Sequence, residues 1–204
     1  MTRIKLCGIT RMCDIGIINE LKPEYIGFVF APKSKRCVST ETAANLKTVL
    51  SKDIQAVGVF VNEPVESVAH LLNEGIIDIA QLHGNEDEDY IRKLRVLSRH
   101  SIIKAFRIES AGDIANVECS SADYVLLDSG AGSGESFEWN WIKDMKRPFF
   151  LAGGLNIQNV ATAVSRLHPF AVDVSSGIET NGLKDQAKMA AFVAAVRKED
   201  RNDK

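Results

Sequence analysis

The chain has 204 residues, 45% of them hydrophobic and 25% charged, with a formal net charge of -2. That length supports one large domain or two small ones, and the hydrophobic fraction supports a sizeable core. The charge balance, with no basic cluster interleaved with aromatics, argues against nucleic acid as a partner. Arg3 and Lys5 interrupt any apolar signal segment at the start, and no apolar run approaches the roughly 20 residues of a membrane span. A cytoplasmic protein with no membrane partner is expected. Cys7, Cys13, Cys37 and Cys119 include no C-x-x-C pair, and His70, His83, His100 and His168 are scattered. Neither a disulfide framework nor a metal site is expected.

Short apolar runs alternate with helical periods from end to end. Strands are predicted near residues 4–7, 25–30, 55–61, 77–82, 102–107, 123–128, 149–152 and 171–174. Most are near-continuous apolar runs, the pattern of parallel strands covered on both faces. Ser39-Thr40-Glu41-Thr42 resembles a helix start, and Pro64 suits a first helical turn. Val65, Val68, Ala69 and Leu72 keep helical spacing, as do Ile157, Val160, Ala161 and Val164, and then Met189, Phe192, Val193 and Val196. Residues 111–119 and 138–143 are short and make the weakest helices. Residues 199–204 read as a polar, frayed tail. Eight strand–helix units fit an α/β protein with a single (β/α)8 barrel domain over residues 1–204. An open doubly wound sheet is the rival, but it normally needs only five or six strands.

In such barrels chemistry lies at the C-terminal strand ends. Cys7 ends the first strand and is followed at once by Gly8; Asp128 ends the sixth. A thiol and a carboxylate at one end of a barrel could serve as base and acid on one substrate. The bland reading of Cys7 alone is a small buried hydrophobe. Gly153-Gly154 after strand seven and Ser175-Ser176-Gly177 after strand eight each lead towards a helix start. Glycine lets backbone N–H groups approach an anion, and consecutive turns after strands seven and eight form a phosphate site in this fold. Gly130-Ala131-Gly132-Ser133-Gly134 lacks dinucleotide spacing and reads as a mobile lid or a solvated loop. In Lys33-Ser34-Lys35-Arg36 the lysines read as solvated, whereas the planar fork of Arg36 suits a carboxylate. His83 is either a base or a hydrogen-bonded wall residue.

These motifs together resemble the phosphoribosylanthranilate isomerase family. The matching stretches are Lys5-Leu6-Cys7-Gly8-Ile9-Thr10, Gly27-Phe28-Val29-Phe30 with Ser34-Lys35-Arg36, and Gly58-Val59-Phe60-Val61-Asn62. Gln81-Leu82-His83-Gly84, Leu126-Leu127-Asp128, Leu151-Ala152-Gly153-Gly154-Leu155 and Asp173-Val174-Ser175-Ser176-Gly177-Ile178-Glu179 complete the ordered set. The resemblance implies an Amadori rearrangement of N-(5'-phosphoribosyl)anthranilate in tryptophan biosynthesis, with no cofactor and a small phosphosugar substrate as partner. It implies Cys7 as general base, Asp128 as general acid and Arg36 as the holder of the anthranilate carboxylate. Gly153, Gly154, Ser176 and Gly177 become the phosphate-binding backbone. His83 joins the substrate-binding set, and Asp173 either orients the substrate amine or bonds the backbone of the phosphate turn.

A cysteine base needs its pKa lowered. Lys5, which precedes Cys7 in the strand, is expected to point the other way and so to be a poor activator. The substrate's own cationic Schiff base is then the helper. Ala131 and Glu135 depart from the family pattern in the loop after Asp128, and Cys37 stands where an aromatic is common. An indole-glycerol-phosphate synthase would want a lysine–glutamate pair at strand ends, and a ribulose-phosphate epimerase would want metal-binding histidines. With Lys5 facing away and the histidines dispersed, neither is favoured. A non-enzymatic phosphate binder could keep the glycine turns without Cys7 or Asp128.

Overall fold

The computed structural model describes residues 1–128, 139–142 and 145–202. Eight parallel strands close into one barrel: β1 (Arg3–Cys7), β2 (Tyr25–Val29), β3 (Gln55–Phe60), β4 (Ile79–Leu82), β5 (Ser101–Arg107), β6 (Tyr124–Asp128), β7 (Phe149–Ala152) and β8 (Ala171–Val174). Strand β1 pairs with β8 to complete the circle, with Lys5 opposite Asp173. The helices are α1 (Met12–Leu21), α2 (Thr40–Val49), α3 (Val65–Asn73), α4 (Glu88–Leu97), α5 (Asp113–Cys119), α6 (Val160–Leu167) and α7 (Gln186–Asn202). The expected barrel is thus the observed one.

Alternation along the strands divides the core in two. Outward residues such as Ile4, Leu6, Ile26, Phe60 and Val172 pack with the helices in one continuous cluster. Inward residues Tyr25, Val57, Ile79, Ile103, Leu126, Phe150 and Ala171 fill the barrel. Burying a side chain such as Leu126 or Phe150 stabilises by about 1.5–3 kcal/mol. Arg3 lies 4.1 Å from the Phe170 ring centroid and covers the aromatic cluster. Higher in the barrel the inward positions become Cys7, Val29 and Val59, and polar groups follow at the rim.

Helix starts follow local chemistry. Ser39 caps α2, its hydroxyl accepting from the Thr42 N–H at 3.1 Å. Pro64 sits at the cap position of α3, and Val68, Ala69 and Leu72 are buried beneath it. In α7, Met189, Phe192, Val193 and Val196 are all buried. That helix runs through Asn202, so residues 199–202 are helical where a frayed tail was expected. The Thr2 N–H donates to Asp200 Oδ1 at 2.8 Å, and Arg197 donates to Glu24 at 2.7 Å. These polar ties to β1 and its neighbourhood have no apolar spacing to announce them.

Between β6 and β7 the described residues include a 3₁₀ turn, Trp139–Trp141. The expected helix at 138–143 lies partly outside the described residues, as do the expected lid at 130–134 and the departures at Ala131 and Glu135. After β8 come a 3₁₀ turn, Ser176–Ile178, and a small hairpin of β9 (Glu179–Thr180) and β10 (Leu183–Lys184). No helix among the described residues is long and apolar enough to cross a membrane.

Candidate active site

A cavity of about 530 Å³ opens at the C-terminal end of the barrel, and Cys7, Asp128, Arg36, His83 and Asp173 all line it. Gly153, Gly154 and Ser176 form part of its wall. These residues sit in the C-terminal parts of strands or in the loops that follow them, where barrel geometry converges side chains from distant parts of the chain.

Cys7 is buried among Val29 and Val59. Burial pushes its thiol pKa above the usual 9.0, and the neighbouring Lys5 pulls it back only part way. Lys5 is where the sequence reading fails. Residues two apart in a strand share a face, so Lys5 points inward with Cys7, not away from it. Its side chain is fully buried, its ammonium lies 3.1 Å from both oxygens of Asp173, and the Cys7 thiol stands on the same face of the strand. Burial alone would depress the ammonium, but Asp173 and Cys7 more than offset that, and its pKa is raised. Asp173, given two readings above, is the partner of Lys5. The objection to a lysine-based rival was that Lys5 faces away; it points into the barrel instead, though fully buried and paired with Asp173.

Asp128 meets His83, whose Nε2 lies 3.2 Å from its Oδ2. On its other side the His83 ring contacts the Gln81 amide at 2.8 Å. Glu86 accepts from the Asn62 and Gly84 N–H groups and from Lys104, which ties the loops after β3 and β4 together beside His83. His83 is therefore a hydrogen-bonded wall residue that touches the candidate acid. Sequence reasoning did not pick out Gln81; its signal is the i, i+2 spacing from His83.

Arg36 is half-buried in the loop after β2. Its Nε and Nη2 donate to the two oxygens of Glu179 at 2.6 and 2.7 Å. Lys184 donates to the same carboxylate at 2.5 Å and to the Ser175 carbonyl at 2.9 Å. Burial opposes the charged form of Glu179, but these donors prevail and hold its carboxyl below 4.5. The guanidinium fork does take a carboxylate, here one supplied by the chain itself. Lys33 and Lys35 are exposed, in line with a solvated role.

The two glycine turns lie against each other. Gly153 and Gly154 have φ of 86° and 66°, in the region that favours glycine. The Asn159 and Asn156 amides donate to the Gly154 carbonyl at 3.0 and 3.2 Å and pin the turn. Helix α6 starts at Val160, later than Gly153-Gly154 alone suggested. A Cβ on Gly177 would stand 2.1 Å from the Leu155 carbonyl oxygen, so only glycine lets the turns after β7 and β8 pack this closely. No group of three or more histidine, cysteine or acidic side chains among the described residues could hold a metal ion.

The family model for N-(5'-phosphoribosyl)anthranilate (PRA) isomerase matches residues 4–195. An N-(5'-phosphoribosyl)anthranilate isomerase of Endomicrobium trichonymphae is 42% identical over 202 residues, spanning 97% of this chain and 99% of the relative. That of Clostridium acetobutylicum is 44% identical over 207 residues, with the same shares. The crystal structure of the Thermotoga maritima phosphoribosyl anthranilate isomerase superposes with a TM-score of 0.88 at 36% identity, over 97% of this chain and all of that one. Another structure of such an isomerase, in complex with reduced 1-(O-carboxyphenylamino)-1-deoxyribulose 5-phosphate, gives a TM-score of 0.86 at 36% identity over 97% of this chain and 100% of that one. With residues 4–195 matched by the family model and 97% of the chain by these relatives, the chain belongs to the N-(5'-phosphoribosyl)anthranilate isomerase family, isomerases of tryptophan biosynthesis.

Proposed function

We propose that this chain converts N-(5'-phosphoribosyl)anthranilate to 1-(2-carboxyphenylamino)-1-deoxyribulose 5-phosphate in the cytoplasm, with Asp128 as general acid and Cys7 as general base. The observation that carries the reading is the shared cavity: Cys7 from β1 and Asp128 from β6 line it together, with the paired glycine turns at its edge. The phosphate is held by backbone N–H groups of Gly153, Gly154, Ser176 and Gly177. Arg36 receives the anthranilate carboxylate on the part of its guanidinium that Glu179 leaves open.

Protonated Asp128 donates to the ribose ring oxygen as the bond from that oxygen to C1' breaks, which opens the ring to a cationic Schiff base. The Cys7 thiolate then removes the C2' proton, and the electron pair of that C–H bond neutralises the cation to give an enolamine. Loss of the C2' hydroxyl proton and gain of one at C1' yield the ketone. Lys5 stands beside Cys7 and favours the thiolate, a task first expected of the substrate's cation alone. No electron acceptor enters this redox-neutral sequence.

The test is to mix the purified protein with phosphoribosylanthranilate and follow loss of anthranilate fluorescence. Rapid loss, with the deoxyribulose phosphate recovered as product, supports the proposal. Binding of inorganic phosphate without turnover would contradict it and leave a phosphate-binding barrel.

A further inference from the structure

Asn181 and Gly182, with φ of 53° and 78°, make the two-residue turn of the β9–β10 hairpin, which needs positive φ at both positions. Across that hairpin Glu179 stands opposite Lys184. Their side chains are 7% and 2% exposed and form an ion pair at 2.5 Å. The Lys184 ammonium also donates to the Ser175 carbonyl at 2.9 Å, and the Lys184 carbonyl accepts from Arg11 at 2.6 Å. The hairpin is thus fixed both to the end of β8 and to the loop before α1.

Arg36, which lines the cavity, is gripped by its stem and by its head. The stem lies against Gly8, where an added Cβ would stand 2.5 Å from Arg36 Cδ. At the head, Nε and Nη2 donate to the two oxygens of Glu179. A guanidinium has five N–H donors, so these bonds take one edge and leave the Nη1/Nη2 edge for a second carboxylate.

Two carboxylates on one guanidinium carry one negative charge too many, and Lys184 supplies the missing cation. With Arg36, Glu179 and Lys184 together the cluster has one net positive charge, which a ligand carboxylate neutralises. Without Lys184, Arg36 and Glu179 already cancel and offer a carboxylate no net attraction. The nearby Lys5 and Asp173 pair with each other and leave this balance unchanged.

We propose that Glu179 and Lys184 are positioning residues that make the site selective for an aromatic amine bearing a carboxylate. Glu179 holds the guanidinium by one edge, and Lys184 cancels the charge of Glu179 so that the charge of Arg36 serves the ligand. The proposal rests on the reading of Arg36 as holder of the anthranilate carboxylate.

Calorimetric titration of the whole protein with two non-reacting ligands tests it. One is reduced 1-(2-carboxyphenylamino)-1-deoxyribulose 5-phosphate; the other is the same molecule without its carboxylate. The ketone is a hydroxyl in both, so the chemistry of Cys7 does not enter, and any shared effect on phosphate binding cancels in their ratio. Wild type should bind the carboxylated ligand about tenfold tighter or more. Lys184→Met should cut that preference to about threefold or less. Lys184→Met with Glu179→Gln removes both charges, keeps an oxygen that accepts from the guanidinium, and should restore the preference. Lys184→Met with Glu179→Met gives the guanidinium nothing to hold and should not restore it.

A preference unchanged in Lys184→Met, or lost alike in all three variants, would overturn the proposal. So would a preference above wild type in the variant with Glu179→Met, since Glu179 would then compete with the ligand. A wild type that turns over phosphoribosylanthranilate yet binds both ligands equally would remove Arg36 as the carboxylate holder, and the proposal with it.

Discussion

The Lys5 ammonium is held by Asp173 on β8, 3.1 Å away, and shares the inward face of β1 with the Cys7 thiol, whose thiolate it favours. A cation fixed beside a thiol lowers the cost of forming a thiolate, and a fixed carboxylate keeps that cation charged where water is excluded. The opposing influences on Cys7 are burial, which raises its pKa, and Lys5, which lowers it.

Lys5→Met removes the cation and leaves Asp173 buried without it. Breaking such a buried pair costs about 3–5 kcal/mol, which denaturant melts will measure. Lys5→Met combined with Asp173→Asn should recover much of that stability. It should not recover turnover, because the thiolate still lacks its cation. Equal recovery of both would mean that Lys5 acts only in folding.

The rate should climb with pH. Cys7 is a base only as a thiolate, and its pKa in the free protein lies above 9.0 because burial outweighs Lys5. Below that pKa the thiolate fraction rises about tenfold per pH unit. While Asp128 keeps its proton, kcat/KM should therefore increase with pH, and the climb should end where the acid begins to lose that proton. Lys5→Met should move the rising limb further alkaline.

Gly177→Ala probes the contact between the two glycine turns. The added Cβ would sit 2.1 Å from the Leu155 oxygen and 3.0 Å from the Asn156 Cα, both backbone atoms that a side-chain shift cannot clear. The turns must part, and phosphate binding should weaken. KM should rise by about tenfold or more, with a smaller change in kcat, and inorganic phosphate should inhibit less well.

Glu179 links stability to acid. Its folded pKa lies below its ordinary 4.5 because Arg36 and Lys184 donate to it, against the opposing effect of burial. A depressed carboxyl contributes stability above the unfolded value and loses it as pH falls through the folded one. Thermal melts should show Glu179→Gln less stable than wild type at neutral pH, with the gap closing below pH 4.5. A gap that stays constant into acid would show that the charge on Glu179 is not what stabilises.

The strands were legible in the sequence because both faces of a parallel barrel strand are buried, so each reads as an unbroken apolar run. Strands β9 and β10, at two residues each, carry no such run and were not expected. Cys7, Asp128, Arg36 and the glycine turns were legible as strand-end residues, and the cavity gathers them. The Lys5 error was one of face, since two residues along a strand return to the same side. Partners across the barrel were not legible at all. Glu179 meets Arg36 across 143 residues of chain, and His83 meets Asp128 from a strand that is not its neighbour. Such contacts follow from barrel closure and not from local pattern.

The most direct test of the acid–base account compares wild type, Cys7→Ser and Asp128→Asn in turnover of phosphoribosylanthranilate, followed by fluorescence, with circular dichroism to establish folding. The account predicts that each variant folds, binds substrate and loses turnover by about 10²–10⁴-fold, the range of one proton-transfer group. Near-wild-type turnover in either folded variant would contradict the role assigned to that residue.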